Sequence, residues 1–215
     1  MKKVCVLGRG KSLLSVETLP DDALYVTVNR YAEELSDIKI SKKLRDKKLH
    51  HVSSLSPGEL SGMLRSGCFN KFNYEQLVVP YIKETCPGQI PQFIPGKTLS
   101  DNCKEYMFKR GERPDGNMRY AYSFPTSGLA AVCYATVDLD AEEINIIGID
   151  FYDNIGYAFG SEWKSDEQAI KYGEDPKMMK DFLNNFMSKF PHKHFNIFTS
   201  ANFESQLQNV TINKV

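Results

Sequence analysis

The chain has 215 residues, of which 41% are hydrophobic and 12% aromatic, with 27 Lys+Arg against 27 Asp+Glu. That is long enough to bury one sizeable core and short for two full domains. The balanced charge excludes a nucleic-acid binder that tracks phosphates, since its footprint is an excess of Lys and Arg, and no apolar run approaches the ~20 residues of a membrane span.

The five cysteines, Cys5, Cys68, Cys86, Cys103 and Cys133, are odd in number and widely spaced, with no Cys-x-x-Cys and no His paired nearby. Neither a disulfide framework nor a zinc site is expected from them. Met1-Lys2-Lys3 runs directly into the apolar stretch Val4–Leu7, which reads as structure rather than a signal peptide. The expectation is one domain over residues 1–215 in a reducing, cytoplasmic setting, at most peripheral to a membrane.

In chain order, Val4–Leu7 reads as a buried strand, Gly8-Arg9-Gly10 as a turn, Ser12–Val16 as a helix opening and Ala23–Val28 as a second strand. The Lys-rich stretch Ser36–Lys48 predicts a solvated surface helix, Leu49–Val52 a strand and Ser53–Gly58 a turn. Residues 66–118, punctuated by Pro80, Pro87, Pro91, Pro95 and Pro114, predict irregular loops and short helices. Ser127–Leu139 is rich in Ala and Val and suits a closely packed helix, and Glu143–Gly148 predicts a fully buried strand. Tyr152–Asp175 reads as a lid, Pro176–Phe190 as an amphipathic helix with Met179, Phe182, Leu183 and Phe186 on one face, and Phe195–Phe198 as the last strand. Alternating strands and helices predict an α/β, Rossmann-like domain whose central sheet is mainly parallel and flanked by helices.

Three segments carry candidate chemistry. Gly8-x-Gly10-x-Ser12 after the first strand lacks the third glycine of a dinucleotide fingerprint, and taken alone it reads as a turn that simply needs glycine dihedrals. Thr126-Ser127-Gly128 opens a helix and offers hydroxyls and free N–H groups, as a helix cap or as an anion binder. Gly148-Ile149-Asp150-Phe151-Tyr152 ends the buried strand in an acid and two aromatics, at the carboxyl edge where parallel sheets place ligands.

Together these segments resemble the bacterial sialyltransferases of glycosyltransferase family 42, which use CMP-sialic acid. The resemblance is carried by Val6-Leu7-Gly8-Arg9-Gly10-Lys11-Ser12-Leu13, by Val28-Asn29-Arg30-Tyr31, by Thr126-Ser127-Gly128, and by Gly148–Tyr152 with Tyr157-Ala158-Phe159. It is strong over residues 1–35 and 120–160. The resemblance implies that Gly8, Arg9, Gly10 and Ser12 face the nucleotide and that Asn29 holds the phosphate or ribose side of CMP. It also implies that Thr126, Ser127 and Gly128 contact the donor carboxylate or cytidine, and that the Tyr152 and Tyr157 hydroxyls bond the departing phosphate. Asp150 orders the loop backbone or the ribose hydroxyls. The implied reaction is inverting transfer of a nonulosonic acid from a CMP-sugar to a glycan hydroxyl, with no metal or other cofactor and a tendency to form homo-oligomers.

Two departures bear on that reaction. Arg9 stands where the family has asparagine, and its guanidinium offers a direct phosphate contact instead. The family's general-base histidine has no counterpart in Lys171–Pro176, leaving Glu174 or Asp175 as the base, or as acids that favour the start of a helix ahead of Pro176. His192 and His194 read as exposed turn residues, and His50 and His51 as neighbours of the donor cleft. The alternatives are a nucleotide-sugar-binding module without turnover, or another nucleotide-dependent transferase on the same kind of sheet.

Overall fold

The computed structural model describes residues 1–29, 31, 32, 34–53, 63, 65, 67–79, 96–109, 122–153, 158 and 175–215. The strands are β1 (Lys3–Leu7), β2 (Leu24–Val28), β3 (Lys48–Val52), β4 (Asn73–Val79), β5 (Gly96–Thr98), β6 (Phe108–Lys109), β7 (Tyr122–Ser123), β8 (Glu143–Ile147), β9 (His194–Thr199) and β10 (Val210–Lys214). Eight of them form one sheet in the order β10-β9-β8-β1-β2-β3-β4-β5, and every pairing in it is parallel. The short pair β6-β7 is antiparallel.

The helices are α1 (Ile38–Leu44), α2 (Cys68–Lys71), α3 (Asp101–Lys104), α4 (Ser127–Cys133, continued by a π turn over Tyr134–Asp138) and α5 (Pro176–Ser188), with a 3-10 helix over Lys11–Thr18. Strand alternation divides the core into two layers. Val4 and Val6 of β1 pack with α4 and α5 on one face, while Cys5 and Leu7 pack with the 3-10 helix and α1 on the other. Both layers are filled because a parallel sheet has apolar side chains on both faces, each fully buried Val or Leu contributing about 1.5–3 kcal/mol.

β8 lies between β1 and β9, which explains why its sequence is nearly continuous in isoleucine. Its one polar interior residue, Asn145, is satisfied by Glu143 (2.9 Å) and Asn196 (3.1 Å). α5 forms as its periodicity predicts, burying Met179, Leu183 and Phe186.

Three expectations need correction. Asn73–Val79 is a seven-residue interior strand within the stretch read as irregular. Its pairing with β3 passes from Leu49↔Tyr74 to His50↔Gln76, so Glu75 is a bulge that breaks the two-residue alternation. β9 is not the last strand, because β10 pairs beyond it as a half-exposed edge with little apolar sequence to announce it. The surface helix is confined to Ile38–Leu44 and is not solvated all round, since Ile40 and Leu44 are buried. The turn read at Ser53–Gly58 and the lid read at Tyr152–Asp175 fall mostly outside the described residues.

Candidate functional site

The chain builds β1 through β5 outward in one direction, then returns to lay β8 on the other side of β1. The crevice beyond the carboxyl ends of β1 and β8 is therefore the topological switch point, where open α/β sheets place ligands. The loops that follow β1, β2, β3, β8 and β9 all reach that edge, because all of these strands run the same way.

At the centre of the edge, the turn after β1 is stitched to the turn after β8. Gly8 N–H donates to the Ile147 carbonyl (2.8 Å), Gly10 N–H to the Gly148 carbonyl (2.7 Å), and Gly148 N–H to Ser12 Oγ (2.8 Å). The glycines are needed for this contact. A Cβ on Gly8 would lie 2.2 Å from the Gly148 carbonyl oxygen, and one on Gly10 would lie 2.4 Å from Asp150 Oδ2. The close approach is thus between two segments of the chain's own backbone.

Asp150 is 5% exposed and its carboxylate accepts from Ser12 N–H (2.8 Å), Thr199 Oγ1 (2.8 Å) and Ser200 N–H (3.2 Å). One side chain thereby ties together the ends of β1, β8 and β9. Phe151 and Tyr152 follow it in left-handed conformations, with φ of 51° and 57°. Such strain in non-glycine residues concentrates at functional sites.

α4 brings its first turn to the same edge. Thr126 caps it, Oγ1 accepting from Leu129 N–H (3.3 Å), and a Cβ on Gly128 would meet Ile149 Cδ1 at 3.1 Å. Thr126, Ser127 and Gly128 therefore sit beside the end of β8. Arg9 is 8% exposed, and its Nε–H donates to the carboxylate of Glu34, which is wholly buried. The Arg9 charge is balanced inside the protein by Glu34. The Arg9 carbonyl accepts from Ala158 N–H (2.8 Å), which brings that residue to the β1 turn.

At the ends of β2 and β3 the polar groups are arranged differently. Asn29 is left-handed (φ 53°), and its Oδ1 is buried with no hydrogen-bond partner among the described residues. Tyr31 OH, Ser53 Oγ and His51 Nε2 share that condition. His51 Nδ1 is 2.9 Å from Thr27 Oγ1, and burial pushes the imidazole down to about 3, with the Asn29 main chain opposing the shift. Burial likewise pushes the Tyr31 phenol up.

Neither neighbouring histidine makes an accessible base. His51 is fully buried, and His50 Nδ1 is engaged with Tyr134 OH (2.8 Å) on the opposite face of the sheet from His51, with burial and then Lys97 pushing it down to about 4. His192 and His194 are both exposed, but only His192 lies in the turn, since His194 is the first residue of β9 and pairs with Glu143. Asp175 caps α5 by accepting from Lys177 N–H (2.9 Å), the helix-start alternative among its two readings. Tyr157 and Glu174 lie outside the described residues.

Cys5, Cys68, Cys103 and Cys133 are free and buried; burial pushes the Cys5 thiol up to about 12 and raises Cys103 and Cys133 as well. No three His, Cys, Asp or Glu side chains among the described residues are grouped to hold a metal ion, and no helix among them is long and apolar enough to cross a membrane. Sequence reasoning missed Glu34, whose burial depends on a partner 25 positions away, and Ser53, which lies in sequence that reads as an ordinary turn.

No family model and no curated protein matches the sequence. Among solved structures, the sialyltransferase CstII from Campylobacter jejuni in complex with cytidine-5'-monophosphate is similar with a TM-score of 0.62 at 21% identity, covering 97% of this chain and 86% of that one. The sialyltransferase CST-II in complex with a trisaccharide acceptor and CMP is similar with a TM-score of 0.59 at 18% identity, over 91% of this chain and 80% of that one. CstII from the same organism with CMP-3FNeuAc gives 0.59 at 20% identity, over 97% and 88%. The chain has the α/β fold of these sialyltransferases along nearly its whole length.

Proposed function

We propose that this chain is a sialyltransferase-like glycosyltransferase that transfers sialic acid, or a related nonulosonic acid, from a CMP-sugar to a glycan hydroxyl with inversion. The observation that carries the reading is the meeting of four sequence segments at one switch-point edge. These are Gly8–Ser12, Asn29, Thr126–Gly128 and Asp150–Tyr152, on a fold shared with enzymes solved in complex with CMP. In this reading the seam of Gly8, Gly10, Ser12 and Asp150 is the rigid floor of the donor site. Asn29 and the first turn of α4 contact the donor, and the lid read over residues 152–175 closes over it between its fixed ends, Asp153 and Asp175, within a single domain.

The acceptor hydroxyl loses its proton to a base and attacks the anomeric carbon in line as the bond to the CMP phosphate breaks. The Tyr152 and Tyr157 hydroxyls donate to that phosphate as negative charge builds on it, which stabilises its departure with no metal or other cofactor. Glu174 is the base in this scheme, because Asp175 is engaged as a helix cap. Closure keeps water from the oxocarbenium-like centre.

A second reading, a CMP-sugar-binding module with impaired turnover, is favoured by one specific observation: Lys171–Pro176 contains no histidine. Thermal shift with CMP-, UDP- and GDP-linked sugars, followed by an assay for CMP release, tests both. CMP and CMP-sialic acid at about 100 times Kd should stabilise the chain by about 2.7 kcal/mol. For a chain of this size that is a Tm shift of roughly 5–10 °C. Binding with release of CMP supports the transferase, and binding without release supports the module. A preference for UDP- or GDP-sugars, or no response to millimolar CMP, rejects both.

A further inference from the structure

The strained pair Phe151–Tyr152 raises the question of what holds it. Neither residue is of the Asn or Gly type that tolerates a left-handed backbone, so the surroundings must impose it. Upstream, Asp150 is fixed by its bonds to Ser12, Thr199 and Ser200. Phe151 is 2% exposed and stacks on Phe203, with ring centroids 4.9 Å apart.

Downstream, the turn is closed by Asp153. Its N–H donates to the Asp150 carbonyl (3.0 Å), and its Oδ2 accepts both from Asn202 N–H (3.1 Å) and from Lys180 Nζ (2.5 Å). Lys180 belongs to α5, and its ammonium lies 5.9 Å from the centre of the Phe151 ring. The two side chains are only 22% and 23% exposed. This differs from the other long-range lysine pairs among the described residues, in which the acid is 38% exposed or more. One carboxylate oxygen therefore joins the turn after β8, the connection after β9 and α5.

We propose that Asp153 and Lys180 are positioning residues for Tyr152: their clamp holds the left-handed turn that places the tyrosine at the donor edge. This rests on the reading of Tyr152 as the group that bonds the departing phosphate. Asp153 itself touches no reacting atom. It acts on the leaving group only through the backbone of residue 152, so its removal affects turnover more than ground-state binding.

The test compares Asp153→Asn and Lys180→Met with Tyr152→Phe, singly and combined, and adds a crystal structure of Asp153→Asn. Each clamp variant should lower CMP release from CMP-sialic acid about tenfold, with CMP affinity by thermal shift changed less than about twofold. In the Tyr152→Phe background, Asp153→Asn should cause no further loss, because the effect passes through the missing hydroxyl. In the crystal structure Phe151 and Tyr152 should leave the left-handed region.

Additive losses with Tyr152→Phe, equal losses in binding and turnover, or an unchanged turn at residues 151 and 152 would each overturn the proposal. If the wild-type chain binds CMP-sialic acid without releasing CMP, the transferase reading fails on that result alone. The crystal structure still decides whether the clamp holds the turn.

Discussion

Two halves of the same sheet edge treat their polar groups in opposite ways. At the β1–β8 seam the groups that shape the turns find partners within the protein: Ser12 both donates and accepts, Asp150 accepts from three donors, and the N–H groups of Gly8, Gly10 and Gly148 are all engaged. At the ends of β2 and β3, Asn29 Oδ1, Tyr31 OH, His51 Nε2 and Ser53 Oγ are buried and find no partner among the described residues. An unsatisfied buried polar group costs about 1–3 kcal/mol, so the two halves contribute differently to the stability of the fold. The glycines and the acid that stand out in the sequence build the frame, and the buried groups without a partner among the described residues lie one and two strands away. The buried Arg9–Glu34 pair joins the two halves.

The largest expected effect tests whether the seam is a rigid frame. Gly148 has φ 74°, and a Cβ there would lie 2.4 Å from the Gly8 carbonyl oxygen. Gly148→Ala should therefore destabilise by roughly 2–5 kcal/mol, combining left-handed strain with overpacking. Gly67 is the control, having φ 67° with nothing within 4 Å of the place a Cβ would occupy. Gly67→Ala carries only the conformational part, about 1–2 kcal/mol. Denaturant titration of both variants decides the matter: equal costs would mean that the seam can yield.

The strands that build the seam were legible because each announces itself locally. Val4–Leu7 and Glu143–Ile147 are short apolar runs bounded by glycines or acids, and parallel pairing on both sides requires such runs. β4 was not legible, because the bulge at Glu75 disrupts its alternation, and neither was β10, whose edge position asks for little apolar sequence. At the site, Gly8, Gly10 and Asp150 were visible as ligand-type residues, yet their own side of the contact is backbone and carboxylate from within the chain. The pairing of Arg9 with Glu34 and the unpartnered state of Tyr31 and Ser53 depend on contacts between distant segments, which no local pattern records.

A second effect sharpens the contrast by asking whether the β2–β3 half stays uncharged. His51 ordinarily titrates near 6.5, and burial brings it down to about 3 in the folded chain. Below pH 6.5 the unfolded chain takes up a proton that the folded chain refuses. The stability present above pH 6.5 is therefore lost progressively as pH falls from 6.5 toward 3. Replacing His51 with Gln removes this contribution while leaving the carboxylates unchanged. Chemical denaturation at about pH 7.5 and 4.5 should show the stability gap between the two conditions narrowing by about 2–3 kcal/mol in the variant. An unchanged gap would mean that His51 titrates alike in the folded and unfolded chain, so that this half of the edge takes up charge by about pH 4.5.

The smallest effect separates the two halves most directly, by deleting one hydroxyl from each. Ser12 Oγ accepts from Gly148 N–H at 2.8 Å, so Ser12→Ala leaves a buried donor unpaired and should cost about 1–3 kcal/mol. Tyr31 OH is equally buried and has no protein partner to strand among the described residues. Tyr31→Phe should therefore leave the stability of the free chain unchanged or raise it by up to about 1 kcal/mol, because the desolvated hydroxyl no longer burdens the folded state. The same substitution should reduce the thermal shift given by CMP-sialic acid, since a ligand that completes the bonding of this half loses one partner. Ser12→Ala should lower the melting temperature and leave the ligand-induced shift intact, provided the seam is frame alone. If Tyr31→Phe destabilises the free chain as much as Ser12→Ala does, an internal partner already pairs that hydroxyl. The two halves would then be built alike, and the donor contacts would have to come from the first turn of α4 and from Tyr152.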